Sequence, residues 1–147
     1  MLVILCPGQG SQTPGFLQPW LELDSFASMV SSLSEASGID IAKHGTESDA
    51  DAIRDTAVAQ PLIVAASIAS ALELGSGFNA VAGHSVGEFA AAALAGILTP
   101  EDAIRAVSVR SRAMAAAAAL EPTSMAAVLG GEQSVVLERL EQLDLYP

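Results

Sequence analysis

Leu2 to Leu5 is an unbroken apolar run of strand length, stopped by the turn sequence Pro7-Gly8-Gln9-Gly10, and it predicts a buried parallel strand meeting a loop. From Asp24 onward, Phe26, Met29, Val30 and Leu33 recur at helical spacing and Gly38 follows as a stop, predicting an amphipathic helix. Ser48 to Arg54 reads as a short polar helix. Ala57 to Leu74 is the longest apolar stretch, interrupted by Gln60, Pro61, Ser67, Ser70 and Glu73, which falls short of a membrane span and fits a buried helix. Pro61 lies near the start of that helix, where its missing N–H does little harm. After the Gly75-Ser76-Gly77 turn, Asn79 to Gly83 predicts a second strand, and Val86 to Ala95 an Ala-rich helix ending at Gly96. Thr99 and Pro100 supply an N-cap and first helical position for a helix that carries Ile104, Val107 and Met114 on one side and ends near Leu120 to Pro122. Met125 to Leu129 reads as a third strand and Ser134 to Leu143 as a last helix. Strands alternating with helices predict an α/β layer architecture with a mostly parallel sheet, and three strands are too few for a complete one.

Composition narrows the function classes. The chain of 147 residues is of single-domain size, and 51% hydrophobic against 16% charged residues excludes disorder as the whole answer. Six lysines and arginines against seventeen aspartates and glutamates give a net charge of −11. That sign repels phosphate backbones and anionic headgroups, so neither nucleic acid nor a membrane is an expected partner. It also repels an acidic protein, which would need a basic patch that this sequence hardly supplies. The single cysteine, Cys6, cannot form an intramolecular disulfide, and no Cys or His pair stands at metal-ligand spacing, so no metal is expected. The apolar N-terminus lacks a basic region and is broken at Pro7, so the expected setting is the cytoplasm.

Gly83-His84-Ser85-Val86-Gly87 fits G-x-S-x-G, the elbow in which a serine sits on a sharp strand-to-helix turn with its hydroxyl exposed. The glycines Gly83 and Gly87 are required because a Cβ at either would collide with the elements packed on the turn. Ser85 then stands at a helix N-terminus, where negative charge is favoured, and the N–H of Val86 is the natural first oxyanion donor. On this motif alone, a nucleophile and a serine that merely caps the next helix are equally good readings. Gly8-Gln9-Gly10-Ser11-Gln12, directly after the first strand, can bring a second N–H beside the elbow. An arginine, Arg110, lies twenty-five residues beyond the serine on a later helix.

Pro7 to Gln12, Gly83-His84-Ser85-Val86-Gly87-Glu88 and Val109-Arg110-Ser111-Arg112-Ala113-Met114, in this order, resemble the malonyl-CoA:acyl carrier protein transacylases of bacterial fatty acid synthesis and the acyltransferase domains of polyketide synthases. Thr56 to Pro61 is similar to that family's T-x-x-x-Q-P segment. The resemblance implies an α/β-hydrolase-like acyltransferase core with a parallel sheet and nucleophile elbow over residues 1–122, and the start of a ferredoxin-like small subdomain over 123–147. It implies a ping-pong transfer of malonyl from malonyl-CoA to acyl carrier protein through a malonyl ester on Ser85, with no cofactor. The backbone N–H groups of Gln9 and Val86 would form the oxyanion hole, and Arg110 would hold the malonyl carboxylate, to which its planar fork is suited. Without the resemblance, a surface salt bridge is the simpler reading of Arg110, as it is of Arg105 and Arg112. A branched residue at Val86 points to malonyl over methylmalonyl.

The family places its catalytic histidine well over a hundred residues after the serine. Here only His44 and His84 exist. His84, in the strand, should point away from Ser85 and make a structural hydrogen bond, and His44, before a Gly45 turn, is a surface or packing residue. The expectation is therefore the N-terminal portion of a longer transacylase, without its general base and close to inactive, since loss of such a base costs on the order of 10² to 10⁴ in rate. An uncovered apolar face and strand edge are expected with it, and hence self-association. Two rival readings are a serine hydrolase of α/β-hydrolase or patatin type, and a non-catalytic fragment that binds acyl carrier protein.

Overall fold

The computed structural model describes residues 1–120, 126 and 128–147 of the chain. Two parallel strands, β1 (Val3–Cys6) and β2 (Ala80–Gly83), pair in the register Val3 to Ala80 through Cys6 to Gly83. Asn79 closes the end of that pairing twice: its side-chain Oδ1 accepts from the Leu2 N–H at 2.9 Å, and its backbone N–H donates to the Leu2 carbonyl at 2.8 Å. Between the strands run α1 (Asp24–Ser37), α2 (Ile41–Thr46) and α3 (Thr56–Glu73), and after them α4 (Gly87–Leu94), α5 (Pro100–Ala118) and α6 (Gln133–Gln142).

The core is built around α3, which packs against α1, α4, α5 and β1. Contrary to the sequence expectation that its polar interruptions disqualify it, its length and apolar composition would suffice to cross a membrane; what marks it as a core helix is that ten of its residues, among them Leu62, Val64 and Ile68, are buried inside the fold. Phe26, Val30 and Leu33 of α1 and Ile104 and Val107 of α5 close on it from either side. The caps are those the residue types favour. Asp40 accepts from the Lys43 N–H at 2.9 Å, Asp55 from Ala57 at 2.8 Å and Thr99 from Asp102 at 3.0 Å.

Several expectations change. Pro61, expected near the start of α3 where its missing N–H does little harm, is the sixth residue, past the first turn, so an internal N–H is lost. The Ala57 carbonyl, which that N–H would have served, receives instead the Ser111 hydroxyl of α5 at 3.5 Å. The polar helix expected at Ser48 to Arg54 is a 3₁₀ turn over Ala52–Arg54, because Asp49 diverts the Ala52 N–H to its side chain at 2.9 Å. Helix α2 has no counterpart in the sequence reading, being too short for apolar periodicity to register, and Gly45 lies within it instead of forming a turn. The predicted strand Met125 to Leu129 lies partly outside the described residues, and its described positions, Ala126, Val128 and Leu129, are in no strand. Finally, β1 is not buried throughout: Leu5 is 74% exposed, and only Cys6 is fully enclosed. With two strands described, the outer edge of β1 has no strand beside it, and a cavity of about 360 Å³ lined by Leu5, Phe16 and Trp20 runs along it.

Candidate active site

Gly83-His84-Ser85-Val86-Gly87 joins the end of β2 to the start of α4, the strand, tight turn and helix that the sequence predicts. Ser85 is exposed at φ 54°, a left-handed conformation that strains any residue carrying a Cβ. Close packing dictates the flanking glycines. A Cβ on Gly83 would stand 2.5 Å from the Glu88 Cα, and one on Gly87 would stand 2.6 Å from the Pro7 carbonyl oxygen and press on that of Cys6. The turn is closed by Gly87 and Glu88 N–H groups donating to the carbonyls of His84 and Ser85, each at 3.0 Å. The Val86 N–H, by contrast, has no acceptor among the described residues, although the Val86 side chain is buried.

The loop after β1 is held by its own glutamines. Gln12 receives the Gly10 N–H at 2.9 Å and donates to the Ile53 carbonyl at 2.8 Å, and Gln9 donates to the Thr56 hydroxyl at 3.3 Å. These bonds tie the loop through side chains to the Ala52–Arg54 turn and to the first residue of α3, and the Gln9 backbone N–H is left without an acceptor among the described residues. Two unengaged N–H groups, Gln9 and Val86, thus border the cleft that contains Ser85.

Arg110 reaches the same cleft from α5. It is half-buried and has no carboxylate partner among the described residues, so the surface salt bridge does not form there; its Nη1 donates instead to Gln60 Oε1 at 2.5 Å. Arg105 does make the expected surface pair, with Asp102 at 3.0 Å, while Arg112 is exposed without one among the described residues. The cleft holds about 510 Å³, within the roughly 300–1,000 Å³ of small-molecule sites. Two arginines border it: Arg54, paired with Asp51 at 3.3 Å, and Arg110, which among the described residues has no carboxylate partner.

The histidines depart from expectation in one case. His84 lies beyond the last residue of β2, so strand alternation does not govern it, and it borders the same cleft as Ser85. Its ring stands over Gly8, whose added Cβ would lie 2.6 Å from Nδ1, and it makes no side-chain hydrogen bond among the described residues. His44 is a residue of α2 with Nδ1 3.0 Å from the Ser48 hydroxyl, and it does not line the cleft. Neither imidazole hydrogen-bonds Ser85 among the described residues. Glu88 is exposed in the first turn of α4. Among the described residues no three His, Cys, Asp or Glu side chains gather closely enough to hold a metal ion.

Sequence reasoning gave no role to Gln12, Thr56 or Gln60. The available signal was spacing: Thr56 and Gln60 are four residues apart and share one helix face, so each can brace one wall of a cleft lying over that face.

Residues 3–144 match the family model described as the acyl transferase domain. The chain is 50% identical to the malonyl CoA-acyl carrier protein transacylase of Mycobacterium tuberculosis over its whole length, which is 51% of that relative. The crystal structure of the transacylase from the same organism superposes with a TM-score of 0.91, again over 100% of this chain and 51% of the other. A malonyl-transacylase solved in complex with the acyl carrier protein of a type II polyketide synthase is 29% identical, with a TM-score of 0.71 over 79% of this chain and 39% of its own. The chain therefore spans about half the length of the curated relatives it matches. Its mixed α/β fold with a small parallel sheet is theirs, and the chain belongs to the acyl transferase domain family.

Proposed function

We propose that this domain carries the malonyl-accepting half of a malonyl-CoA:acyl carrier protein transacylase in fatty acid synthesis. The observation that carries the reading is the convergence of Ser85, two unengaged N–H groups and Arg110 on one cleft. Ser85 Oγ attacks the thioester carbon of malonyl-CoA, its proton passes to a base, and the Gln9 and Val86 N–H groups hold the oxyanion that forms. Collapse expels the coenzyme A thiolate and leaves malonyl-Ser85. The phosphopantetheine thiol of acyl carrier protein then attacks the ester, and Ser85 regains its proton as the product thioester forms. Arg110 pairs with the malonyl carboxylate throughout, and the start of α4 behind Ser85 favours the developing negative charge. No cofactor takes part.

The base is the piece the described residues do not supply, since neither His44 nor His84 bonds the serine. We assign it to residues outside these 147, in keeping with the greater length of the relatives. The setting is the cytoplasm, and the uncovered edge of β1 favours self-association of this chain in isolation.

The test is intact-protein mass spectrometry after incubation with malonyl-CoA. A slowly formed malonyl adduct, absent in Ser85→Ala and weakened at least tenfold in Arg110→Ala, is the expected result. An adduct that persists in Ser85→Ala, or equal acylation of wild type and Arg110→Ala, would overturn the assignment. Faster turnover of neutral esters than of malonyl-CoA would move the protein to the serine hydrolases.

A further inference from the structure

Gln60 is the most enclosed polar side chain bordering the cleft, 1% exposed, and both ends of its amide are engaged. Its Oε1 accepts from Arg110 Nη1 at 2.5 Å, and its Nε2 donates to the Met114 sulfur at 3.4 Å. Met114 follows Arg110 by four residues on the same face of α5, so one amide from α3 bridges two side chains of α5. The sulfur has a directional consequence. A thioether accepts and does not donate, so it holds the amide with its nitrogen toward Met114 and its oxygen toward the guanidinium. Flipped, the amide would turn N–H groups onto a group that carries only donors.

A buried amide is also the right chemistry for an anchor that leaves the arginine available. A carboxylate at this position would neutralise the guanidinium and compete with any anion entering the cleft. A neutral carbonyl oxygen takes one N–H and leaves the positive charge and the remaining donors of the fork unpaired among the described residues. The neighbouring residues fix the helix on which Gln60 stands. Pro61 frees the Ala57 carbonyl, which receives the hydroxyl of Ser111, the residue next to Arg110, so α3 and α5 are joined at the arginine and at the residue after it.

We propose that Gln60 is a positioning residue that holds the Arg110 guanidinium in the orientation needed to receive a substrate carboxylate, with Met114 setting the polarity of the Gln60 amide. This deepens the reading given above and rests on it for the identity of the carboxylate. The bracing itself stands on the contacts of Gln60.

Two measurements on the full chain test it. The first is side-chain NMR of Arg110, through the ¹⁵N–¹H NOE of its Nε–H group, in wild type, Gln60→Met, Gln60→Glu and Met114→Leu. The second is the ratio of malonyl to acetyl adduct formed on Ser85 from the two coenzyme A thioesters. Gln60→Met keeps the volume and removes the acceptor; it is expected to free the arginine and lower the malonyl preference about tenfold, the weight of one hydrogen bond to a charged group. Met114→Leu is expected to give a smaller shift in the same direction. Gln60→Glu separates position from charge: Arg110 stays rigid while the malonyl preference falls. An Arg110 as rigid in Gln60→Met as in wild type, or a preference unchanged in both Gln60 variants, would overturn the proposal. A wild type that forms an acetyl adduct but no malonyl adduct, and keeps the NMR contrast, would sink the malonyl reading and leave the bracing of Arg110 standing.

Discussion

Ser85 carries a conformational cost for its place at the elbow. A non-glycine residue in the left-handed region is strained by roughly 1–2 kcal/mol, and nothing but the packed turn holds it there. Ser85→Gly is therefore expected to raise the unfolding free energy by about 1 kcal/mol over Ser85→Ala, with both variants unable to form an acyl adduct. Urea denaturation of the two variants checks this. Cys6, two residues before Gly8, offers a second test at this scale. It is 3% exposed, and burial pushes its thiol pKa up, so less of it is thiolate at any given pH. Alkylation of native protein by iodoacetamide at pH 8 is expected to run at least tenfold slower than of the urea-unfolded chain, and equal rates would contradict the buried placement. The elbow was readable because its residue types and spacing are dictated by the turn, whereas Arg110 took its role only from the family resemblance, a surface salt bridge being the simpler reading of its position. Gln60 and Thr56 were not readable, since a buried amide on an apolar helix declares its purpose only through its partners on α5 and in the loop.

Helix α3 is the element on which the others depend. Leu62 is fully buried between α3 and its neighbours, and Leu62→Ala is expected to cost about 2–5 kcal/mol, the range for a leucine deleted from a packed core. Thr99→Ala, which removes only the cap of α5, is expected to cost about 1 kcal/mol. Chemical denaturation of both variants gives the ranking, and a cap loss equal to the core loss would mean that α5 is not held by packing. The long helices were legible because apolar positions repeat along them and each begins or ends at a strong signal, such as Gly38 or the Thr99-Pro100 pair. Helix α2 and the 3₁₀ turn at Ala52–Arg54 were not, because elements of three to six residues carry too few apolar positions to show a period.

At the scale of the whole molecule, the described parts differ in how they are held. Helix α6 buries none of its residues, whereas α3 buries ten. Deleting residues 121–147 is accordingly expected to change stability by no more than about 0.5 kcal/mol, in line with the proposed division of the chain near residue 122. A loss of several kcal/mol on thermal melting would reject that division. The exposed Leu5 and the unpaired edge of β1 lead to a second expectation, dimers or larger species by analytical ultracentrifugation at tens of micromolar. Replacing Leu5 with Lys is expected to reduce them. From the sequence came the alternation of strand and helix and the elbow with its two indispensable glycines, because these are local consequences of backbone geometry. Only the tertiary structure decided which N–H groups stay unengaged, that His84 borders the cleft of Ser85, and that Arg110 turns to a buried amide instead of a surface carboxylate. Those outcomes depend on what segments distant in the chain bring to one another, and no spacing within a single segment records them.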